Sequence, residues 1–110
     1  MTFSRYRIYL ADLDPVRGSE IRKTRPVVIV SMDEMNEALE TVVACPLTTR
    51  IHPHWRSRIQ VSCGGKKTEI AVDQIRTLSK GRFIKQIDKL SPKKVEELRD
   101  LISEMYGNRT

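Results

Sequence analysis

The chain of 110 residues lacks several features that mark common classes of protein. No apolar run approaches the length of a membrane span, and the first ten residues, MTFSRYRIYL, contain no long apolar signal core. There is no H-E-x-x-H or C-x-x-C motif, and no cluster of carboxylates and histidines at metal-ligand spacing. We therefore expect a cytoplasmic protein with no membrane association, which works without a metal ion or another cofactor.

Cysteine is scarce as well. Cys45 and Cys63 are the only two, and each lies in a strand-like run. A disulfide between them needs an oxidising compartment, whereas a lone cysteine in a strand usually behaves as a small buried hydrophobe. We expect two free, buried thiols. A chain this short cannot bury two separate cores, so we also expect one domain over residues 1–110.

Charge is unevenly distributed along the chain, which carries a formal net charge of +6. Residues 50–67 include five basic side chains and no acidic one, whereas residues 33–40 include four acidic side chains and no basic one. Segregation of this kind predicts a positive face that attracts nucleic acid or an acidic peptide. Charge alone does not choose between these partners or exclude a basic surface that binds neither.

Short strands with one long helix are the predicted secondary structure. Apolar patterning predicts strands over 7–12, 27–30, 41–47, 58–63, 69–75 and 83–87, a helical turn over 33–39, and a tight hairpin at Gly64-Gly65. Strands of this length and spacing favour a small barrel. Ser91 and Pro92 have the residue types of a helix N-cap and first position, and Gly107 closes the helix. Its apolar stripe should pack onto the barrel and consists of Val95, Leu98, Leu101, Ile102, Met105 and Tyr106.

The segment DPVRGSEIRKTRPVVIVS, residues 14–31, is a turn-rich basic loop that leads into an apolar strand. Asp14-Pro15 favours a turn, Gly18 permits a positive φ, and Pro26 forces Arg25 into an extended conformation. A positive loop at the mouth of a rigid strand is suited to phosphate binding. In the next strand, Pro46 should end the strand or place it at an edge, so that Thr48 and Thr49 emerge where the chain enters a basic loop.

That basic loop, RIHPHWRSR over residues 50–58, contains the only tryptophan. Trp55 can stack an unpaired base while neighbouring arginines hold phosphates, or it can pack onto the barrel, and the sequence leaves both open. His52 and His54 could act as the acid and base of a ribonuclease. Because they flank Pro53 in a loop, their side chains need not converge, and we favour a role in recognition.

Three blocks occur in order over nearly the whole chain: DLDP, GSE and RPVV from residue 12 to 28, PLTT over 46–49, and DQIRT over 73–77. Together they resemble the MazF/PemK/Kid family of type II toxin–antitoxin endoribonuclease toxins, the mRNA interferases. The resemblance implies an α+β, mainly β fold: a small SH3-like, CcdB/Kid-type antiparallel barrel with a C-terminal amphipathic helix. It also implies a homodimer, metal-independent and sequence-specific cleavage of single-stranded RNA by 2′-hydroxyl attack, and inhibition by an acidic antitoxin of the MazE type.

Matched position by position, the resemblance gives Arg25 and Thr48 as catalytic residues, with Glu20 in the polar loop. Arginine suits the binding of a phosphate, threonine can donate to a phosphate oxygen, and Glu20 is either the base or a partner that holds Arg22 or Lys23. The arginine that Kid-like members have before the third motif is replaced by Ala71, so its role is not transferred. We predict that RNA is bound by Arg22, Lys23, Thr49, Arg50, Trp55, Arg56, Arg58, Asp73, Gln74 and Arg76.

A non-enzymatic function on the same fold is the alternative. This alternative includes a gyrase poison like CcdB and an RNA-binding module without enzymatic activity. CcdB-like chains depend on a tryptophan near the C-terminus, whereas this chain ends in YGNRT. Incubation with a long unstructured RNA separates the two classes, because only the enzyme cleaves it.

Overall fold

A computed structural model describes residues 1–15 and 18–107, so that Val16 and Arg17 of the predicted basic loop lie outside the described part. The strands are β1 (Arg7–Asp12), β2 (Thr24–Ile29), β3 (Thr41–Thr48), β4 (Arg58–Cys63), β5 (Lys66–Ala71), β6 (Arg76–Ser79) and β7 (Phe83–Lys89). The helices are α1 (Asp33–Ala38) and α2 (Pro92–Ile102), with short 3-10 turns at Val72–Gln74 and Lys80–Arg82 and a π turn at Ser103–Gly107.

The strands form one antiparallel sheet in the order β4-β5-β3-β2-β1-β7, and β6 pairs with β3. The sheet curls into a half-barrel, as the predicted barrel fold requires. β3 is the pivot of the curl, because residues 41–44 pair with β6, residues 44–46 pair with β2, and Leu47 and Thr48 pair with β5. The end of β3 therefore lies where two parts of the sheet diverge.

Apolar clusters cover both faces of the central strands. One cluster lies under α2 and includes Ile8, Val28 and Leu98, whereas the other lies on the opposite face and includes Tyr9 and Val27. A strand that is buried on both faces has a continuous run of apolar residues, which explains the VVIV segment of β2. The prediction of a buried central strand is confirmed.

The predicted C-terminal helix is confirmed. The Ser91 hydroxyl accepts a hydrogen bond from the Lys94 amide at 3.3 Å, and Pro92 is the first helical residue. Leu98 is fully buried, and the Tyr106 hydroxyl donates to the Val72 carbonyl at 2.7 Å. The apolar stripe thus packs onto the barrel as predicted, and Val95, Leu101, Ile102 and Met105 also contact the core cluster.

Several local predictions differ from the structure. β5 begins at Lys66, not at residue 69, because a two-residue hairpin loop at Gly64-Gly65 pairs Cys63 directly with Lys66. It ends at Ala71, since the next three residues form a 3-10 turn. The short strand β6 was not predicted at all.

Pro46 also differs from its prediction in part. It does not end β3 but lies within it, opposite Val27, and the strand continues to Thr48. Both cysteines are buried free thiols, as expected. Burial raises the pKa of Cys45 to about 12.

Candidate active site

Two depressions adjoin the end of β3. The first, here called the tryptophan depression, has a volume of about 540 Å³. It is lined by Ser19, Ile21, Thr48, Arg50, His52, Trp55, Arg58, Asp73 and Gln74. Six of these residues belong to the predicted site, although they are spread over some 27 positions of the chain. The fold therefore brings half of the ten predicted RNA-binding residues to one place, together with Thr48 of the predicted catalytic pair.

The second, here called the arginine depression, has a volume of about 340 Å³. It is lined by Thr24, Arg25, Pro26, Leu47, Thr49, Cys63, Gly64, Lys66, Thr68 and Ile87. Thr48 and Thr49 are consecutive, so the two depressions meet at the end of β3 with one threonine in each. Arg25 and Thr48, the predicted catalytic pair, therefore line adjoining depressions and not a single one.

Local structure fixes both members of that pair. Arg25 lies in β2 opposite Ala11, and its Nε donates to the Arg22 carbonyl at 3.2 Å. The extended conformation predicted from Pro26 is confirmed. The Thr48 hydroxyl accepts a hydrogen bond from the Arg50 amide at 3.1 Å, which leaves its own proton available for donation to a phosphate oxygen.

The β1–β2 loop is held at its base. The Leu13 amide donates to the Lys23 carbonyl at 2.9 Å, and the Lys23 amide donates to Asp14 Oδ1 at 3.0 Å. Gly18 has φ +61, as predicted, and Lys23 has φ +67, a left-handed conformation that side chains with a Cβ rarely adopt. These contacts keep the basic loop beside the two depressions.

Four further predicted site residues, Glu20, Arg22, Arg56 and Arg76, make ion pairs. Arg22 Nε lies 4.0 Å from Asp14 Oδ1, and Glu20 Oε2 lies 3.9 Å from Arg76 Nη1. Glu20 thus has Arg76 as an ionic neighbour, a contact that the sequence did not suggest. Arg56 is 84% exposed and pairs with Glu104, outside the tryptophan depression.

Glu69, Arg58, Asp73 and His52 form an ionic cluster on one side of the tryptophan depression. Arg58 donates from Nη1 to Glu69 Oε2 at 2.8 Å and from Nε to Asp73 Oδ1 at 2.8 Å. The side chain of Glu69 is fully buried, and that of Arg58 is only 5% exposed. Arg58 is therefore fixed between two carboxylates, which makes it a rigid part of the wall.

The pKa values of the cluster follow from these contacts. Burial disfavours the charged form of Glu69, but hydrogen bonds from His52 and Arg58 together outweigh burial and lower its pKa. Burial likewise opposes ionisation of Asp73, and the hydrogen bond and charge of Arg58 lower the pKa of that group overall. Both groups are therefore carboxylates near neutral pH.

Trp55 lies over this cluster. Its ring stacks on that of His52 with centroids 3.8 Å apart, and the Arg58 guanidinium carbon lies 4.7 Å from its centroid. Arg58 Nη1 is 3.4 Å from His52 Nδ1. If the two groups lay on opposite faces of the indole, the ring would lie between them and they would be about two stacking distances apart. Both groups therefore lie on the same face. Trp55 is 48% exposed, so it lies outside the core and packs on His52 and Arg58 with about half of its surface accessible.

Sequence reasoning missed Glu69 as part of the site. The sequence does contain a signal: Glu69 lies between Thr68 and Ile70 in a strand, where a charged side chain is buried only if it has a partner. The sequence favours only a recognition role for His52, whereas its ring is fixed by the buried Glu69 carboxylate. As expected, the two imidazoles do not converge: His52 lines the tryptophan depression, whereas His54 lies outside it, so the structure does not support a recognition role for His54.

Two further observations concern residues 1–15 and 18–107 only. Within them, no three or more histidine, cysteine, aspartate or glutamate side chains are grouped so that they could hold a metal ion. None of the helices formed by these residues is long and apolar enough to cross a membrane.

Comparison with known proteins gives concordant matches. A model of the PemK-like, MazF-like toxin of type II toxin–antitoxin systems matches residues 4–106. Endoribonuclease MazF of Staphylococcus saprophyticus is 36% identical, covering 94% of this chain and 90% of that protein.

Solved structures match over almost the full length. MazF (Form-I) from Deinococcus radiodurans has a TM-score of 0.86 at 19% identity, covering 98% of this chain and 99% of that one. An endoribonuclease in complex with its cognate antitoxin, from a mycobacterial species, has a TM-score of 0.78 at 20% identity, covering 99% and 97%. These likenesses show the fold. With the family model matching nearly the whole described chain, the protein belongs to the PemK-like, MazF-like family of type II toxin–antitoxin toxins.

Proposed function

We propose that this protein is a toxin that cleaves single-stranded RNA as an endoribonuclease, at the junction of the arginine and tryptophan depressions. One observation carries the proposal: the end of β3 presents Thr48 and Thr49 to two adjoining depressions, one containing Arg25 and the other a half-exposed tryptophan among arginines. A cleft with these groups can bind a phosphate at the ridge and stack bases beside it. The 36% identical relative, itself named an endoribonuclease, supports the same activity.

Arg25 and Thr48 have distinct roles in this proposal. The guanidinium of Arg25 stays protonated, so it offsets the charge that develops on the phosphorane, and its planar fork can bind two phosphate oxygens. The Thr48 hydroxyl donates a further hydrogen bond, and one donor of this kind is worth ~10²-fold in rate. The sequence left Glu20 as either the base or a partner of Arg22 or Lys23, and its 3.9 Å approach to Arg76 favours charge pairing over proton transfer.

Base recognition falls to the tryptophan depression. The free face of Trp55 can stack an unpaired base, while Arg50 contacts the backbone. Gln74 is fixed because its Oε1 accepts a hydrogen bond from the Ile21 amide at 2.7 Å, so its amide nitrogen can donate to a base edge. The arrangement favours a single strand, since bases in a duplex are not available for stacking on a side chain.

We also propose a cytoplasmic homodimer that is inhibited by an acidic antitoxin. The likeness to a solved toxin–antitoxin complex supports such a partner, and a net charge of +6 suits an acidic, disordered tail lying along the basic face. The exposed apolar side chains Met32, Met35 and Leu39 near α1 offer surface for subunit contact. Light scattering at micromolar concentration tests the dimer, and a monomer there would contradict it.

The proposed activity is tested with the purified chain and a long unstructured RNA in excess EDTA, followed by mapping of the new ends. We expect cuts at a small set of sequence contexts, with a cyclic phosphate on one product and a 5′-hydroxyl on the other. Cleavage only after Mg²⁺ is restored would contradict the metal-independent mechanism. Intact RNA under both conditions would contradict the enzymatic function.

A further inference from the structure

His52 is held by a carboxylate that has no access to solvent. Its backbone amide donates to Glu69 Oε1 at 2.7 Å, and its ring Nδ1 lies 2.9 Å from Glu69 Oε2. Glu69 is fully buried, whereas the side chain of His52 is 24% exposed. Two contacts to one fixed carboxylate, together with the stack on Trp55, define the position and orientation of the imidazole.

These contacts define the tautomer. Glu69 is ionised, so its oxygens can only accept, and ring Nδ1 must carry the hydrogen that lies between the two groups. In the neutral ring the lone pair is therefore on Nε2. Nδ1 points to the buried carboxylate and Trp55 covers one ring face, so the exposed part of the ring is the edge that contains Nε2.

The register of the sheet brings this pair next to the proposed cleavage site. Thr48 of β3 lies directly opposite Glu69 of β5. Opposed residues of an antiparallel pair extend to the same face, with Cβ atoms about 4.5–5.5 Å apart. His52 and Thr48 also line the same depression, so the imidazole and the threonine border one space.

The charged groups around the ring come from every element packed against it. Glu69 on β5 favours a positive charge on the imidazole, and Arg58 on β4, with Nη1 3.4 Å from Nδ1, opposes it. Asp73 of the 3-10 turn binds Arg58, and Arg50 lines the same depression. A ring between charges of both signs can accept and release a proton, whereas a guanidinium such as that of Arg25 cannot.

We propose that His52 is the general base of the RNA cleavage proposed above, on which this inference rests, and that Glu69 is its positioning residue. Nε2 accepts the proton of the ribose 2′-hydroxyl as the 2′-oxygen forms a bond to phosphorus. The bond between phosphorus and the 5′-oxygen breaks, and that oxygen takes a proton from water. The products are a 2′,3′-cyclic phosphate and a 5′-hydroxyl, and the imidazolium then releases its proton to solvent.

The test is single-turnover cleavage of one mapped RNA site as a function of pH, by the parent, His52→Gln, His54→Gln and Glu20→Gln. Loss of a general base costs ~10²–10⁴-fold, so we expect His52→Gln to slow by that factor and to lose the acidic limb of the profile. His54, two positions away and outside the depression, is the matched control, and His54→Gln should keep the parental rate and profile. Added imidazole should partly restore His52→Gln. The affinity of His52→Gln for a 2′-deoxy analogue of the site should differ from that of the parent by no more than about threefold.

Glu69→Gln distinguishes a positioning role of Glu69 from a purely structural one, because it separates the cleavage rate from the affinity for RNA. The amide can donate as well as accept, so it no longer fixes the hydrogen on Nδ1 of His52; the cleavage rate should fall while affinity for the 2′-deoxy analogue is kept. Should either variant fail to fold, His54→Gln serves instead, because it leaves His52 as the sole histidine of a chain that has two. Diethyl pyrocarbonate should then abolish its cleavage as one equivalent reacts, and the 2′-deoxy analogue should protect it.

Three results would overturn the assignment. His52→Gln could cut near the parental rate with the acidic limb intact, or Glu20→Gln alone could lose that limb. The third result is full activity of His54→Gln after its remaining histidine has been carbethoxylated. Failure of the broader proposal is distinguishable. If the parent cuts no RNA at any pH, the endoribonuclease function itself fails, whereas a parent that cuts without needing His52 removes only the imidazole mechanism.

Discussion

Replacement of Glu69 by alanine tests how much the ionic cluster stabilises the fold. The carboxylate is fully buried and accepts hydrogen bonds from the His52 amide, the His52 ring and Arg58 at 2.7, 2.9 and 2.8 Å. Removing one partner of a buried ion pair costs about 3–5 kcal/mol because the other charge loses its compensation. Arg58 keeps Asp73 at 2.8 Å, so we expect the lower end, about 3 kcal/mol.

Urea unfolding near neutral pH measures this loss directly, because a change in midpoint at constant slope is a change in stability. Gln60→Ala is the matched control: Gln60 lies directly opposite Glu69 but is exposed, so its replacement should change the free energy of unfolding by no more than about 0.5 kcal/mol. A Glu69→Ala cost below about 1 kcal/mol would show that Arg58 and His52 do not depend on this carboxylate, and would refute the account of the cluster.

Three further predictions concern the same site. Folding lowers the pKa values of Glu69 and Asp73, so their stabilisation is complete above the ordinary carboxyl pKa and is lost as pH falls through the folded values; urea midpoints should drop from about pH 6 to about pH 3. Trp55→Ala should weaken RNA binding by about 1–3 kcal/mol in anisotropy titrations and Trp55→Phe by less, whereas equal affinities would exclude stacking. Binding of an acidic antitoxin peptide should weaken steeply between about 0.05 and 0.5 M salt, and an affinity indifferent to salt would contradict the electrostatic mechanism.

Much of the fold follows from local sequence. Alternation over residues 58–63 gives the bounds of β4, and Ser91-Pro92 gives the start of α2, because these signals depend on neighbouring residues alone. The family motifs place Arg25 and Thr48 at strand ends, and the structure has both there. β6 escaped prediction because a strand of four residues with mixed burial has no clear period, and it is stabilised by pairing with β3.

The arrangement of the site depends on contacts between distant residues, and a linear pattern does not contain it. Glu69 and His52 are 17 positions apart and meet only because the chain after β3 folds back over β5. Consecutive threonines look equivalent in the sequence, whereas strand alternation and the divergence at the end of β3 send them to different depressions. The ion pair between Glu20 and Arg76 likewise requires the β1–β2 loop to approach the start of β6.

The central claim, that the end of β3 is where RNA is cut, is tested most directly by single-turnover cleavage of one mapped RNA site by Arg25→Lys and the parent. Lysine keeps the positive charge but lacks the planar fork, so circular dichroism and RNA binding should be unchanged while the rate falls on the order of 10²-fold or more. Arg25→Lys cutting the same site at close to the parental rate would contradict the claim.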